Sequence, residues 1–253
     1  MNLKIAQWFL DPLIKDGPDY QKNKSRILDK IEFTDSNFIT TSPDVLDFLP
    51  KNKLCLFMPN PTDSSFEVLS NYENNHCSMD VFFALSHGVH RGKLKKGKHD
   101  ERADFINRLV EMTPNVKFDL YGINNIQPIW ADSFLKSISN AKMGVNLSRG
   151  PPVKYYSSDR ITQLIGNGLL TFIHRNTHYN NFFSDDEVVF YSNISSLSEK
   201  IQRFAKDDNM RKKIAKRGKK KYMKYFNSTI VADYIINNYN DDSTCRRWFI
   251  FIL

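Results

Sequence analysis

Three stretches of this sequence combine residue types that can hold a phosphorylated ligand. The first is Ser86-His87-Gly88-Val89-His90-Arg91-Gly92-Lys93-Leu94-Lys95-Lys96. It follows an apolar run, Asp80–Leu85, that is expected to be a strand. Gly88 and Gly92 allow backbone amides to turn toward an anion. Arg91 can fork onto phosphate oxygens, and Lys95 or Lys96 adds a mobile point charge. A loop at the carboxyl end of a strand is where open parallel sheets bind ligands. A solvated basic loop would have the same composition.

The second stretch is Asn146-Leu147-Ser148-Arg149-Gly150-Pro151-Pro152, followed by Tyr156-Ser157-Ser158-Asp159-Arg160-Ile161-Thr162-Gln163 and Gly166-Asn167-Gly168. A strand leads here through a loop into a helix beginning at Ser157–Arg160. The free N–H groups and positive dipole end of a helix start suit a diphosphate. Ser158 and Asp159 are equally good helix caps. Gln163, one turn in, shares a face with Asp159 and Arg160, where its amide can bond ribose hydroxyls. The third stretch is Tyr121-Gly122-Ile123-Asn124-Asn125-Ile126-Gln127-Pro128-Ile129-Trp130. Tyr121 and Trp130 offer faces to a nucleobase, and Asn124, Asn125 and Gln127 offer amide edges; ordinary core or surface aromatics would look the same.

These stretches need strands and helices to position them, and the hydrophobic pattern supplies both. Strands are expected at Ile5–Leu10, Phe38–Thr41, Leu54–Met58, Asp80–Leu85, Val116–Tyr121, Met143–Leu147, Leu169–Ile173 and Val188–Tyr191. Helices are expected at Tyr20–Lys30, Asp44–Leu49, Glu101–Met112, Ala131–Asn140, Asp159–Gly166, Ser195–Phe204, Asn209–Phe226 and Thr229–Asn238. Asp100-Glu101 reads as one helix start and Ser195 as another. The β–α alternation predicts an α/β protein with parallel sheets covered by helices. Pro59-Asn60-Pro61-Thr62-Asp63-Ser64-Ser65 breaks the pattern, which places a boundary there. The expected organisation is a partial N-terminal α/β domain (1–60), a complete Rossmann-like domain (61–240) and a tail (241–253).

The 253 residues include 41% hydrophobic side chains, enough for a sizeable core, and carry a net charge of +8. That excess suits a phosphate-bearing or polyanionic partner, or an anionic membrane surface. Nine cations and no acid fall between Arg211 and Lys224. A solvated helix face is the first reading of that run, an anionic lipid surface the second and nucleic acid the third. Cys55, Cys77 and Cys245 are widely spaced, so neither a disulfide framework nor a zinc knuckle is indicated, and a cytoplasmic location is expected. Neither a secretory leader nor a run long enough to span a bilayer is apparent. The histidines lack metal-ligand spacing, and nucleophile-elbow, Walker A and zincin motifs are missing.

In order and spacing, Gly88–Lys96, Tyr121-Gly122, Asn146-Leu147, and Arg160-Ile161-Thr162-Gln163 with Gly168 resemble the donor-binding domain of bacterial family-1-type, spore-maturation-type glycosyltransferases of the GT-B fold. Asp185–Tyr191, Leu197–Ile201 and Asp207–Gly218 resemble that family's closing strand and helices. Pro59–Asp63 resembles its interdomain linker. The resemblance implies transfer of a sugar from a nucleoside diphosphate to an acceptor, a glycan or lipid-linked acceptor of cell-envelope polysaccharide or glycan synthesis. It implies no bound metal or other cofactor, and peripheral contact with the inner membrane face is compatible with it. By position, Arg91 and Lys96 match the basic pair that meets the diphosphate. Gln163 stands where many relatives have a ribose-binding carboxylate, and Tyr155 where retaining relatives often have a glutamate.

The donor-site residues implied are therefore Gly88, Arg91, Lys96, Tyr121, Gly122, Gln127, Ser148, Ser157, Ser158, Asp159, Arg160 and Gln163, with no catalytic base assigned. Relatives are usually longer at the N-terminus, so a catalytically incomplete nucleotide-sugar-binding module is the alternative, and a basic nucleic-acid-binding protein a more distant one.

Overall fold

The computed structural model describes residues 3–17, 19–86, 89–90, 93–94 and 100–240. Two parallel sheets organise them. The first has the order β1 (Ala6–Phe9), β2 (Ser36–Ile39), β3 (Leu54–Phe57), with α1 (Tyr20–Ile31) between the first two strands. The second is built from β4 (Met79–Ala84), β7 (Phe118–Tyr121), β8 (Ala141–Asn146), β9 (Leu170–His174) and β10 (Val189–Tyr191). Its order is β10-β9-β8-β4-β7, and all its pairings are parallel. A short antiparallel pair, β5 (Val89–His90) and β6 (Lys93–Leu94), leaves the carboxyl end of β4.

The helices are α2 (Glu101–Met112), α3 (Ala131–Ser139), α4 (Arg160–Gly166), α5 (Ile194–Lys206), α6 (Asp208–Tyr225) and α7 (Ser228–Asn240). Their buried faces follow the helical period. In α5 these are Leu197, Ile201 and Phe204; in α6, Arg211, Ile214, Ala215, Gly218 and Tyr222. The central strand β9 is buried over Leu170–Ile173, as a strand covered on both faces requires.

One apolar cluster covers a face of the second sheet with Val81, Phe83, Ile106, Leu109, Leu197 and Ile201; Phe82, Ile138 and Leu164 lie in another. A third cluster joins the two sheets. Phe38, Leu56, Phe57 and Met58 of the first pack with Ile161, Phe182, Tyr222, Phe226 and Tyr234. The last helix, α7, returns to the first sheet, where the Tyr234 ring meets Phe38 edge-on at 5.9 Å. The outgoing segment at Thr62 and the returning one at Asn227 lie side by side in an isolated parallel bridge.

The strands match the sequence expectation to within about two residues, and two helix expectations need correction. Asp44–Leu49 is not a helix: only Pro43–Val45 forms a 3-10 turn, followed by another tight turn from Leu49 N–H to Leu46 C=O. Six residues give too few hydrogen bonds to offset helix nucleation. The start of α5 is capped by Asn193 rather than Ser195. Asn193 accepts from the Ser196 amide while Ser196 Oγ accepts in return, a reciprocal box.

The basic run on α6 is not a uniform solvated face. Arg211 is fully buried and ion-paired to Asp208 at 2.7 Å. Arg217 pairs with Asp186 and Lys221 with Glu187. Lys212 reaches Asp208, Lys219 donates to the Leu69 carbonyl, and Lys216 lies over the Tyr72 ring. The acids absent from the run come from the first residue of the same helix, Asp208, and from the segment before β10.

Gly218 sits inside α6 because another backbone passes close by. A Cβ there would lie 2.1 Å from the Glu187 carbonyl oxygen. Helix propensity alone favours Ala over Gly by about 1 kcal/mol. The clash with fixed backbone outweighs this, so Gly218→Ala is expected to lower stability by about 1–3 kcal/mol. Chemical denaturation would show the midpoint falling, whereas propensity alone would raise it.

Candidate functional site

The site forms where the carboxyl ends of β4 and β8 meet the start of α4. Its floor is fixed by the segment that crosses between the sheets. The Asn60 side chain donates to the Ser157 carbonyl at 2.9 Å, and Thr162 Oγ1 donates to the Pro61 carbonyl at 2.9 Å. Tyr222 donates its hydroxyl to the Asn60 carbonyl at 2.8 Å. Asn146, the last residue of β8, exchanges hydrogen bonds with Ser157 Oγ at 3.0 and 3.1 Å. Ser157 is therefore a buried brace for the loop, with its hydroxyl engaged.

Arg160 opens α4 and reaches back under both strand ends. Its Nη1 donates to the Leu147 carbonyl at 2.9 Å and to Ser158 Oγ at 3.1 Å; its Nη2 donates to the Ala84 carbonyl at 3.1 Å. The guanidinium lies 5.1 Å from the centre of the Phe83 ring. No carboxylate pairs with it among the described residues. Arg102 beside it is instead gripped by Asp100, at 2.8 and 2.7 Å. Burial, with the like charge of Arg102, lowers the Arg160 pKa to about 10, which leaves it cationic at neutral pH. Three of its five N–H donors are engaged by protein oxygens, which leaves capacity for an anion.

Two cavities flank this arginine. One, of about 520 Å³, is lined on its polar side by Asp159, Arg160, Gln163 and Asn167. Its apolar side comprises Phe66, Val68, Ile129, Trp130, Phe134 and Leu135. Phe66 is 76% and Trp130 46% exposed, so aromatic surface is available to a ligand there. Ala131, which lines the same cavity, has a positive φ of 49°, an unfavourable conformation for alanine. Glu67 also lines it; burial raises its pKa, partly offset by hydrogen bonds from the Asp63 amide and Thr62. The other cavity, about 370 Å³, opens between the two sheets and is lined by Asp11, Asp19, Lys22, Arg26, Arg102 and Arg149 with the Tyr156–Arg160 turn. Ser86, Asp159 and Arg160 border both.

The structure brings together some of the residues singled out in the sequence and separates others. Asp159, Arg160 and Gln163 share the larger cavity, and Ser158, Asp159 and Arg160 the smaller. Ser148 lies apart, on a cavity of about 40 Å³ near Tyr191. Tyr121 is occupied, its hydroxyl 3.0 Å from Ser137 Oγ. Gly122 has a backbone reason for being glycine: its φ is 75°, and a Cβ would fall 1.9 Å from the Leu85 carbonyl oxygen. Gln127 is exposed and borders neither cavity, while Asn124 is engaged with Asn107. Asp159 forms no capping bond to α4. Gly88, Arg91 and Lys96 lie outside the described residues. Sequence reading missed Phe66 and Glu67, just after the turn-rich Pro59–Ser65 stretch, and Arg102, Arg149, Asp11 and Asp19, whose place in the cavities comes from tertiary folding alone. Among the described residues no cluster of metal-ligating side chains is found, and no helix is long and apolar enough to cross a membrane.

This arrangement of two parallel sheets over a shared cleft is a GT-B fold. The fold is shared with TarM (TM-score 0.63, 11% identity, 95% of this chain and 51% of that one). It is also shared with sucrose-phosphate synthase from Thermosynechococcus elongatus (0.63, 12%, 94% and 68%) and with Anabaena HepE in complex with UDP and glucose (0.66, 11%, 93% and 71%). The chain thus spans about half the length of TarM. A family model described as glycosyl transferase-like matches residues 101–237, more than half of the chain, and the protein belongs to that family. Comparison with curated proteins returns no match.

Proposed function

We propose that this chain binds a nucleoside diphosphate sugar beside Arg160 and takes part in transferring the sugar to a glycan or lipid-linked acceptor. In such a step the acceptor oxygen bonds to the anomeric carbon, and the bond from that carbon to the diphosphate oxygen breaks. The electron pair leaves with the diphosphate, and the acceptor hydroxyl loses its proton to a base or to water. The observation that carries the reading is Arg160, a half-buried guanidinium with spare donors and no carboxylate partner among the described residues, at the strand ends between two cavities. Charge developing on the leaving group is what such a cation stabilises. The aromatic lining of the larger cavity suits a base, and Gln163 on the same wall suits the ribose.

Arg91 and Lys96 are assigned to the diphosphate from their sequence positions. Residues 1–60 are assigned to the acceptor side and 61–240 to the donor side, with 241–253 as a tail. A place on the cytoplasmic side, with the acceptor delivered at the membrane surface, is consistent with this reading.

UDP is a suitable first probe, since HepE and the pneumococcal transferase GtfA are complexed with it. Calorimetry should detect UDP binding to the full chain and none to the Arg91→Ala, Lys96→Ala double variant. Two positive contacts to a diphosphate are worth about 1.5–3 kcal/mol each, so the expected loss is about 100-fold or more. Unchanged affinity in the double variant would remove those residues from the site. A donor-hydrolysis and sugar-transfer assay over a panel of acceptors then separates a transferase from a module that only binds.

A further inference from the structure

The cavity between the two sheets holds an arginine that the donor reading does not use. Arg149 leaves the loop after β8, which is anchored where the Gly150 amide donates to Glu101 Oε1 at 3.0 Å. Its Nη1 crosses the cleft to Asp19 Oδ2 at 2.5 Å, joining segments 130 residues apart. Its Nε is buried and has no hydrogen-bond partner. A planar guanidinium normally meets a carboxylate or phosphate through two parallel N–H groups. Here Nη1 holds Asp19, while Nε, which forks together with Nη2, is idle.

Asp19 is unusual in a complementary way. It occupies the N-cap position of α1, where an aspartate ordinarily bonds the free amides of the first turn. It does not: no side-chain cap bond is formed, its backbone is left-handed at φ 62°, and the carboxylate reaches across to Arg149. Lys22, on the same cavity, forms no ion pair among the described residues, and Arg160 contributes the wall. Arg26 is balanced by Asp11, and Arg102 by Asp100.

We propose that this cavity is a subsite for an anionic group, a carboxylate or phosphate, carried by the sugar of the donor or by the acceptor. The incoming anion takes the edge of Arg149 formed by Nε and Nη2. Its charge opposes that of the Asp19 carboxylate on Nη1, so the cross-cleft contact weakens as the ligand enters. The proposal rests on the donor reading above for what reaches the cavity; its anion chemistry rests on Arg149 and Asp19 alone.

The test uses the full chain and two arms. One compares UDP-glucuronate with UDP-glucose by calorimetry; the other compares glycerol 3-phosphate with glycerol, with and without UDP. The expected result is that in one arm the charged probe binds at least about tenfold more tightly than its neutral counterpart. Arg149→Gln should abolish that preference while leaving UDP affinity unchanged. Asp19→Asn, which frees Arg149, should strengthen binding of the same probe severalfold, a gain that mere disruption of the fold does not produce. The first arm alone responding places the anion on the donor sugar, and the second alone on the acceptor. Equal binding of charged and neutral probes in both arms, or an unaltered preference in Arg149→Gln, overturns the proposal. Failure of UDP itself to bind counts against the donor reading, while the glycerol phosphate arm still decides this one.

Discussion

Replacing Arg160 by glutamine is expected to weaken UDP binding by about 10- to 100-fold and to lower the melting temperature at the same time. The binding loss follows from removing a half-buried cation that lines both cavities and has donors to spare, a charge-assisted contact worth about 1.5–3 kcal/mol. The stability loss has a separate origin. The guanidinium ties the Ala84 carbonyl at the end of β4 to the Leu147 carbonyl at the end of β8, and it rests on Phe83. Glutamine cannot span those oxygens.

Arg160→Lys separates the two effects. It keeps the charge but presents a compact ammonium in place of a fork, so it should melt like the glutamine variant yet retain part of the affinity. Wild-type UDP affinity in Arg160→Gln, with a lowered melting temperature, would reduce Arg160 to a structural clamp.

The second large effect is on stability. Phe226 is fully buried at the junction of α6 and α7, stacked on Tyr222 at 4.8 Å and on Phe183 at 5.4 Å, and edge-on to Phe182 at 5.9 Å. Its cluster includes Phe38, Leu56, Phe57 and Met58 of the first sheet. Phe226→Ala should cost about 3–5 kcal/mol, through lost burial and a cavity that a close-packed aromatic group cannot close. Because the cluster belongs to both sheets, one cooperative transition should move down by roughly 6–20 °C. A melt that splits, with one step unmoved, would show that the sheets unfold independently. Phe66→Ala is the control: at 76% exposure its loss should leave stability within about 0.5 kcal/mol.

Strand positions were legible because buried parallel strands are short, dense apolar runs, such as Leu170–His174. Long amphipathic helices such as α2 and α6 declared themselves by period. Local rules were weaker where neighbouring residues compete. Ser195 and Asn193 both suit an N-cap, and only the side-chain geometry with Ser196 selects Asn193. The run from Asp44 to Leu49 has helical composition but too little length to hold a helix.

Part of the polar face of α4 could be read from spacing: Gln163 shares a face with Asp159 and Arg160, and all three line one cavity, where Asn167, read only as part of the helix end, joins them. What no local pattern could supply were the contributions of distant segments. Phe66 and Glu67 follow a stretch whose turn-rich composition announces only a boundary. The pairing of Asp19 with Arg149 joins residues with nothing local in common. Arg217 and Lys221 of α6 looked unpaired because their partners, Asp186 and Glu187, lie in the segment before β10, about 30 residues back along the chain.

A crystal structure of the full chain soaked with UDP shows whether the diphosphate lies against Arg160. Phosphate oxygens are expected within hydrogen-bond distance of the Arg160 guanidinium, with the uracil ring in the cavity between Trp130 and Phe66. UDP bound elsewhere, with Arg160 still holding only the Ala84 and Leu147 carbonyls and Ser158, would contradict it.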